Sequence, residues 1–99
     1  MQPAIDAQLT LRLEPALDFK AASALRDSFL DRRGEALRID ASQVSQLGGL
    51  CLQVLMAARR AWQSDCLDFQ FAQRSAEFDA AVELFGANEE LGLHEAKDC

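Results

Sequence analysis

The sequence predicts a small α/β domain, and three observations carry that prediction. Short segments of alternating hydrophobicity recur at Leu9–Leu13, Leu37–Ile39 and Leu67–Phe71. Apolar residues at helical spacing fill the intervals between and after them. Gly, Pro and Ser fall at the junctions, where the backbone has to change conformation. The resulting order, β-α-β-α-β-α, argues for helices packed on a mixed sheet of about four strands, the later ones parallel. A chain of 99 residues makes one such domain, with a core over about 8–86 and a tail over 87–99.

Each element has its own signal. Leu9, Leu11 and Leu13 alternate with Thr10, Arg12 and Glu14, the period of a half-buried strand, and Pro15 closes it. Leu17 to Arg33 reads as a helix with Ala21, Ala22, Leu25 and Phe29 inward, and Gly34 supplies the left-handed residue past its end. Leu37 and Ile39 mark a second strand. Cys51, Leu55, Ala58 and Trp62 then recur at intervals of four, three and four, flanked by Val54 and Ala61, as on an amphipathic helix lying on a sheet. Leu67, Phe69 and Phe71 alternate in a third strand. Ser75 is placed as an N-cap for a last helix, with Phe78, Ala81, Val82 and Phe85 inward and Gly86 as its stop. The tail from Ala87 reads as a short loop or frayed helix.

Composition narrows the classes of function. A net charge of −6 opposes nucleic-acid binding, which needs a basic face. No apolar run approaches the roughly 20 residues that cross a bilayer, so no membrane insertion is expected. Met1 to Gln8 lacks the basic start and apolar core of a secretory signal. Three cysteines without CxxC spacing and a lone His94 give no expectation of a disulfide framework or a metal site. A cytoplasmic location fits that pattern.

The most informative stretch runs from Leu37 to Leu55: a strand ending in Asp40, a polar loop from Ser42 to Gly49, then the helix that holds Cys51 and Leu55. This edge of an open α/β fold collects ligands and partners, because backbone N–H groups at a helix start lack intrahelical acceptors. Gly48-Gly49 alone is a weak phosphate motif, without the Lys-Ser/Thr of a P-loop. Asp40 has no neighbouring His, second carboxylate or nucleophile in the sequence, and it reads as a loop-organising acceptor rather than a general base. Cys51 stands in the first turn of a helix, where a thiol can be activated, but it shares the stripe of Leu55, Ala58 and Trp62 and is expected to be buried. No catalytic residue and no cofactor are expected, and the chain is read as a non-enzyme.

The Leu37–Leu55 layout resembles the central segment of STAS domains, the anti-sigma-factor-antagonist family of small bacterial regulators. In that family a strand ends in Asp, a short loop follows, and a motif of the type Asp-Ser-Ser/Thr-Gly-Leu opens the next helix. Counted forward from Asp40, the motif's positions fall on Gly48, Gly49, Leu50, Cys51 and Leu52. Its aspartate and both of its hydroxyl residues are absent. The resemblance extends from about Leu9 to Phe85 and takes in the Leu84-Phe85-Gly86 close. It implies a non-catalytic protein-binding module that docks through Asp40, Ser42, Ser45, Gln46, Leu47, Gly48, Gly49 and Leu50. It also implies loss of the usual phosphoswitch, since Gly49 and Leu50 stand where the phosphorylatable hydroxyls would be. Arg32, Arg33 and the acidic residues of the first helix would set the rim.

The segment Leu47-Gly48-Gly49-Leu50-Cys51-Leu52-Gln53-Val54-Leu55 looks most like the small STAS proteins of alphaproteobacterial chemotaxis gene clusters, which resemble this chain in losing the serine. That similarity implies docking on a chemotaxis histidine kinase. Two alternatives keep the fold. One is a STAS subunit bracing the ATPase of a lipid-transport ABC system; it requires a shifted alignment that puts Gln46 at that family's aspartate and Leu47 at its threonine. The other is an anti-sigma-factor antagonist switched through Ser42 or Ser45. The partner is therefore expected to be a histidine kinase or another kinase-fold or ATPase protein, and a homodimer is compatible with all three readings.

Overall fold

A computed structural model describes residues 9–93. The readings above that fall on Met1–Gln8, on His94 and on the rest of the tail over 94–99 lie outside the described residues. In chain order the elements are β1 (Leu9–Arg12), β2 (Ala16–Leu17), a 3-10 turn (Phe19–Ala21), α1 (Ala22–Asp31), β3 (Leu37–Ala41), β4 (Gln46–Leu47), α2 (Gly49–Ser64), β5 (Phe69–Arg74), α3 (Ala76–Leu84) and α4 (Asn88–Leu91).

The expected α/β class holds. The strands form a three-stranded parallel sheet in the order β1-β3-β5 and a separate parallel pair, β2-β4. The sheet is thus divided, and parallel throughout its described part, rather than a single mixed sheet of four. Leu37, Ile39 and Ala41 alternate inward along β3 while Arg38 stays exposed. Phe69 and Phe71, their neighbours on β5, meet Phe29 of α1, Trp62 of α2 and Phe78 of α3 through ring contacts of 5.5–5.8 Å between centroids. All three helices therefore cover one face of the sheet. Ala72 is an extra residue in β5: Ile39 pairs with Phe71 and Asp40 with Gln73, a bulge at the strand's end.

Local chemistry explains the main departure from the helix expected over 17–33. Asp18 is an N-cap: its carboxylate accepts hydrogen bonds from the backbone N–H groups of Lys20 (3.1 Å) and Ala21 (3.2 Å). The helical chain begins there, and Ala16–Leu17 is left extended to pair with Gln46–Leu47. At the other end Arg32 closes α1 and Gly34 takes φ +95, as expected of a glycine past a helix terminus.

The α2 stripe is buried as expected, with Cys51, Leu55 and Trp62 inaccessible to solvent and Ala58 nearly so. Ser75 caps α3, its hydroxyl oxygen accepting from the Phe78 N–H while its O–H donates to the Val44 carbonyl, so one side chain ties the loop after β3 to α3. Phe78 and Val82 are buried and Ala81 half-buried, but Phe85 corrects the expectation: as the C-cap of α3 its ring turns outward and is half exposed. The tail also differs from a frayed end. Ala87 and Leu91 are buried in the core, and the Arg59 guanidinium donates to the Glu90 carbonyl (3.2 Å), docking α4 on α2.

Candidate functional site

The carboxyl end of β3 feeds the loop that ends at α2. One oxygen of Asp40 accepts from the backbone N–H of Ser42 (2.9 Å) and from its hydroxyl (2.6 Å). Arg12 lies 3.7 Å from the other oxygen. The Ser42 hydroxyl and then the Ser42 N–H hold the Asp40 carboxyl below the usual carboxylate range against the opposing effect of burial, and the Arg12 charge adds a lesser lowering. Asp40 is thus the loop organiser that its sequence position suggested.

A group whose pKa is depressed on folding stabilises the fold fully above its unfolded value, and the contribution is lost as pH falls through the folded value. Acidification below about pH 4 is expected to release the Ser42 hydrogen bonds. The protection factor of the Ser42 amide should fall there, and Asp40→Ala, which removes the acceptor, should produce the same fall at neutral pH. Unchanged protection of the Ser42 amide in that variant would remove Asp40 from the loop's support.

The rest of the loop is pinned to β2 and its flanks. The Pro15 carbonyl accepts from the Ser45 N–H (2.8 Å), the Ser45 hydroxyl (3.2 Å) and the Gln46 N–H (3.2 Å), and the Leu17 carbonyl accepts from the Gly48 N–H (2.9 Å). Val44 and Leu47 are buried. Ser45, Gln46, Gly49 and Leu50 are exposed, while Asp40, Ser42 and Gly48 are half-buried. Gly48 is the N-cap of α2, in extended conformation and without a capping side chain, and no acidic residue occupies the first turn. A Cβ on Gly48 would approach the Leu17 carbonyl oxygen at 3.4 Å.

Exposed apolar side chains stand at this helix start. Leu50 is 51% exposed, and the Phe85 ring lies 3.8 Å from where a Gly49 Cβ would stand. Phe19, 73% exposed, follows Asp18, whose carbonyl accepts from the Cys51 thiol (3.3 Å). Leu84, beside Phe85, is 86% exposed. The sequence singled out Leu50, but not Phe19, Leu84 or an outward Phe85. Phe85 stands three residues after Val82, at core spacing, so nothing local marks it as exposed; it turns out because α3 ends at Leu84.

Cys51 is a buried free thiol. Burial, with a smaller contribution from the Asp18 charge, pushes it above the usual thiol range, so it stays protonated and structural. Cys66 adopts φ 56 in the turn after α2. Among the described residues no group of three or more His, Cys, Asp or Glu could hold a metal ion. No helix there is long and apolar enough to cross a membrane.

Comparison with known proteins decides the family. A family model described as "Mlab, STAS domain" matches residues 2–94. The chain belongs to the STAS domain family. No curated protein and no solved structure matches it significantly. STAS domains are generally non-catalytic regulatory modules, and the loop fits such a role: this STAS domain presents backbone and apolar side chains at the start of α2, with the Ser42 hydroxyl committed to Asp40.

Proposed function

We propose that this STAS domain is a docking module of bacterial signal transduction. It engages a chemotaxis histidine kinase through the loop from Ser42 to Gly49, with Asp40 organising that loop, and through the exposed start of α2. The observation that carries the reading is the exposure of Leu50 and Phe85 at a helix start that has neither hydroxyl nor carboxylate in its first turn. Such a surface supports constant docking rather than docking released by phosphate, which needs an acceptor oxygen at Gly49 or Leu50.

The family description "Mlab" favours a second reading, the STAS subunit of a lipid-transport ABC system. That reading needs the shifted alignment, and the shift assigns the motif's threonine position to Leu47. Leu47 lies in β4 and is buried, whereas the unshifted register puts the motif's hydroxyl positions at the exposed Gly49 and Leu50. The geometry therefore supports the unshifted register. A sigma-factor antagonist fits less well, because its phosphate would have to fall on Ser42, already bonded to Asp40, or on Ser45, whose hydroxyl donates to Pro15.

Affinity capture of the tagged chain from its source bacterium, with mass spectrometry of stoichiometric prey, tests the proposal. A chemotaxis histidine kinase is the expected prey. A transporter ATPase in its place overturns the pathway in favour of the second reading.

A further inference from the structure

α2 carries more apolar surface than the sheet covers. Beside the buried stripe of Cys51, Leu55, Ala58 and Trp62 runs a second one, Leu50, Val54, Ala57 and Ala61, again at helical spacing. This second stripe faces a groove of about 360 Å³ between α1 and α2. Leu30 of α1 forms the opposite wall and is 50% exposed. From Leu50 to Ala61 the groove follows α2 for roughly 16 Å, about three helical turns. The alanines leave room for a third helix to approach closely.

The charge along the groove is opposite to that of the chain. The net charge is −6, yet no carboxylate lines the groove, whose polar rim is Arg26, Arg33 and Gln53. Arg26 lies within α1 and Arg33 two residues past its end. Each meets one aspartate away from the groove lining, Asp27 at 3.7 Å and Asp65 at 2.9 Å, and these contacts engage only some of the five N–H donors of a guanidinium. Arg33 also lies over the Trp62 ring, 5.8 Å from its centroid, which fixes it at the rim.

We infer that the α1–α2 groove is a docking site for an amphipathic helix of a protein partner, one with an apolar stripe at i, i+4 and i+7 and acidic residues on the side facing Arg26 and Arg33. Apolar anchors in a groove give such a helix its affinity, and the arginine rim fixes its direction and selects acidic over basic sequences. The groove shares Leu50 with the loop site but does not depend on the kinase assignment.

The test is a titration of isotope-labelled protein, followed by amide NMR shifts, with a helical peptide bearing Leu at i, i+4 and i+7 and flanking Glu, and with a twin carrying Lys for Glu. Shifts confined to Leu30, Val54, Ala57 and Ala61, with a dissociation constant below about 1 mM and binding of the Lys twin at least about tenfold weaker, are expected. Arg26→Glu should weaken the Glu peptide about fivefold or more. Arg38→Glu, on the opposite face of the sheet, should leave it within about twofold and controls for net charge. Absence of groove shifts, equal binding of both peptides, or equal effects of the two variants overturns the proposal. Groove shifts produced by dodecanoate and not by the peptide overturn it in favour of a small amphiphile, and groove shifts that follow protein concentration alone overturn it in favour of a second copy. None of these outcomes bears on which protein is captured through the loop, so the two proposals fail separately.

Discussion

Gly49→Asp is expected to weaken partner docking at least about 100-fold while leaving the fold intact. The two halves of that statement have separate causes. Gly49 has no positive φ, and the nearest atom to an added Cβ is the Phe85 ring at 3.8 Å, ordinary contact. A carboxylate in the first turn of α2 also meets the favourable end of the helix dipole, worth about 0.3–1 kcal/mol. Thermal stability should therefore hold or rise slightly. In a docked complex the same carboxylate would lie among Leu50 and Phe85, where an unpaired charge is costly to desolvate. Calorimetric titration with the captured partner reads the affinity, and Gly49→Ala controls for bulk. Wild-type affinity of the aspartate variant would exclude the α2 start from the interface.

Trp62→Ala should cost about 3–5 kcal/mol of stability. Trp62 is fully buried, and its ring meets Phe29 (6.1 Å) and Phe69 (5.5 Å), joining α1, α2 and β5. Its Nε1–H donates to the Glu35 carbonyl at 2.7 Å, tying the connection between α1 and β3 to α2. Small domains have a total stability of only about 5–15 kcal/mol, so this one side chain accounts for a large share. Trp62→Phe retains most of the apolar area and loses the hydrogen bond, and should cost nearer 1 kcal/mol. Denaturant unfolding of both variants separates packing from hydrogen bonding. Equal losses would mean that the Glu35 bond, rather than the aromatic cluster, dominates.

The fold was legible wherever periodicity reports burial directly. The α2 stripe, the alternation in β3 and the Ser75 cap appear in the structure at the residues that signalled them. The misread stretches share a cause: a local signal was outweighed by contacts distant in sequence. Ala16–Leu17 has a helical neighbourhood, but it pairs with Gln46–Leu47, and Asp18 starts the helix behind it. The tail from Ala87 has few apolar residues, yet Leu91 finds a place in the core once Arg59 holds the Glu90 carbonyl. At the candidate site, the Asp40 turn and the Gly-Gly helix start were readable, being short-range chemistry between neighbours.

The amino-acid order by itself determined the α/β class, the sheet-facing stripe of α2 and the place of the loop between β3 and α2. These depend on spacing and on residues that cap or turn the chain within a few positions of themselves. Tertiary structure alone decided that β2 pairs with β4, that Leu47 turns into the core while Leu50 and Phe85 turn out, and that α1 and α2 leave a groove rimmed by arginine. Each of these is settled by which distant surfaces meet. An apolar side chain carries the same local signal whether its facing neighbour is the sheet, another helix or water.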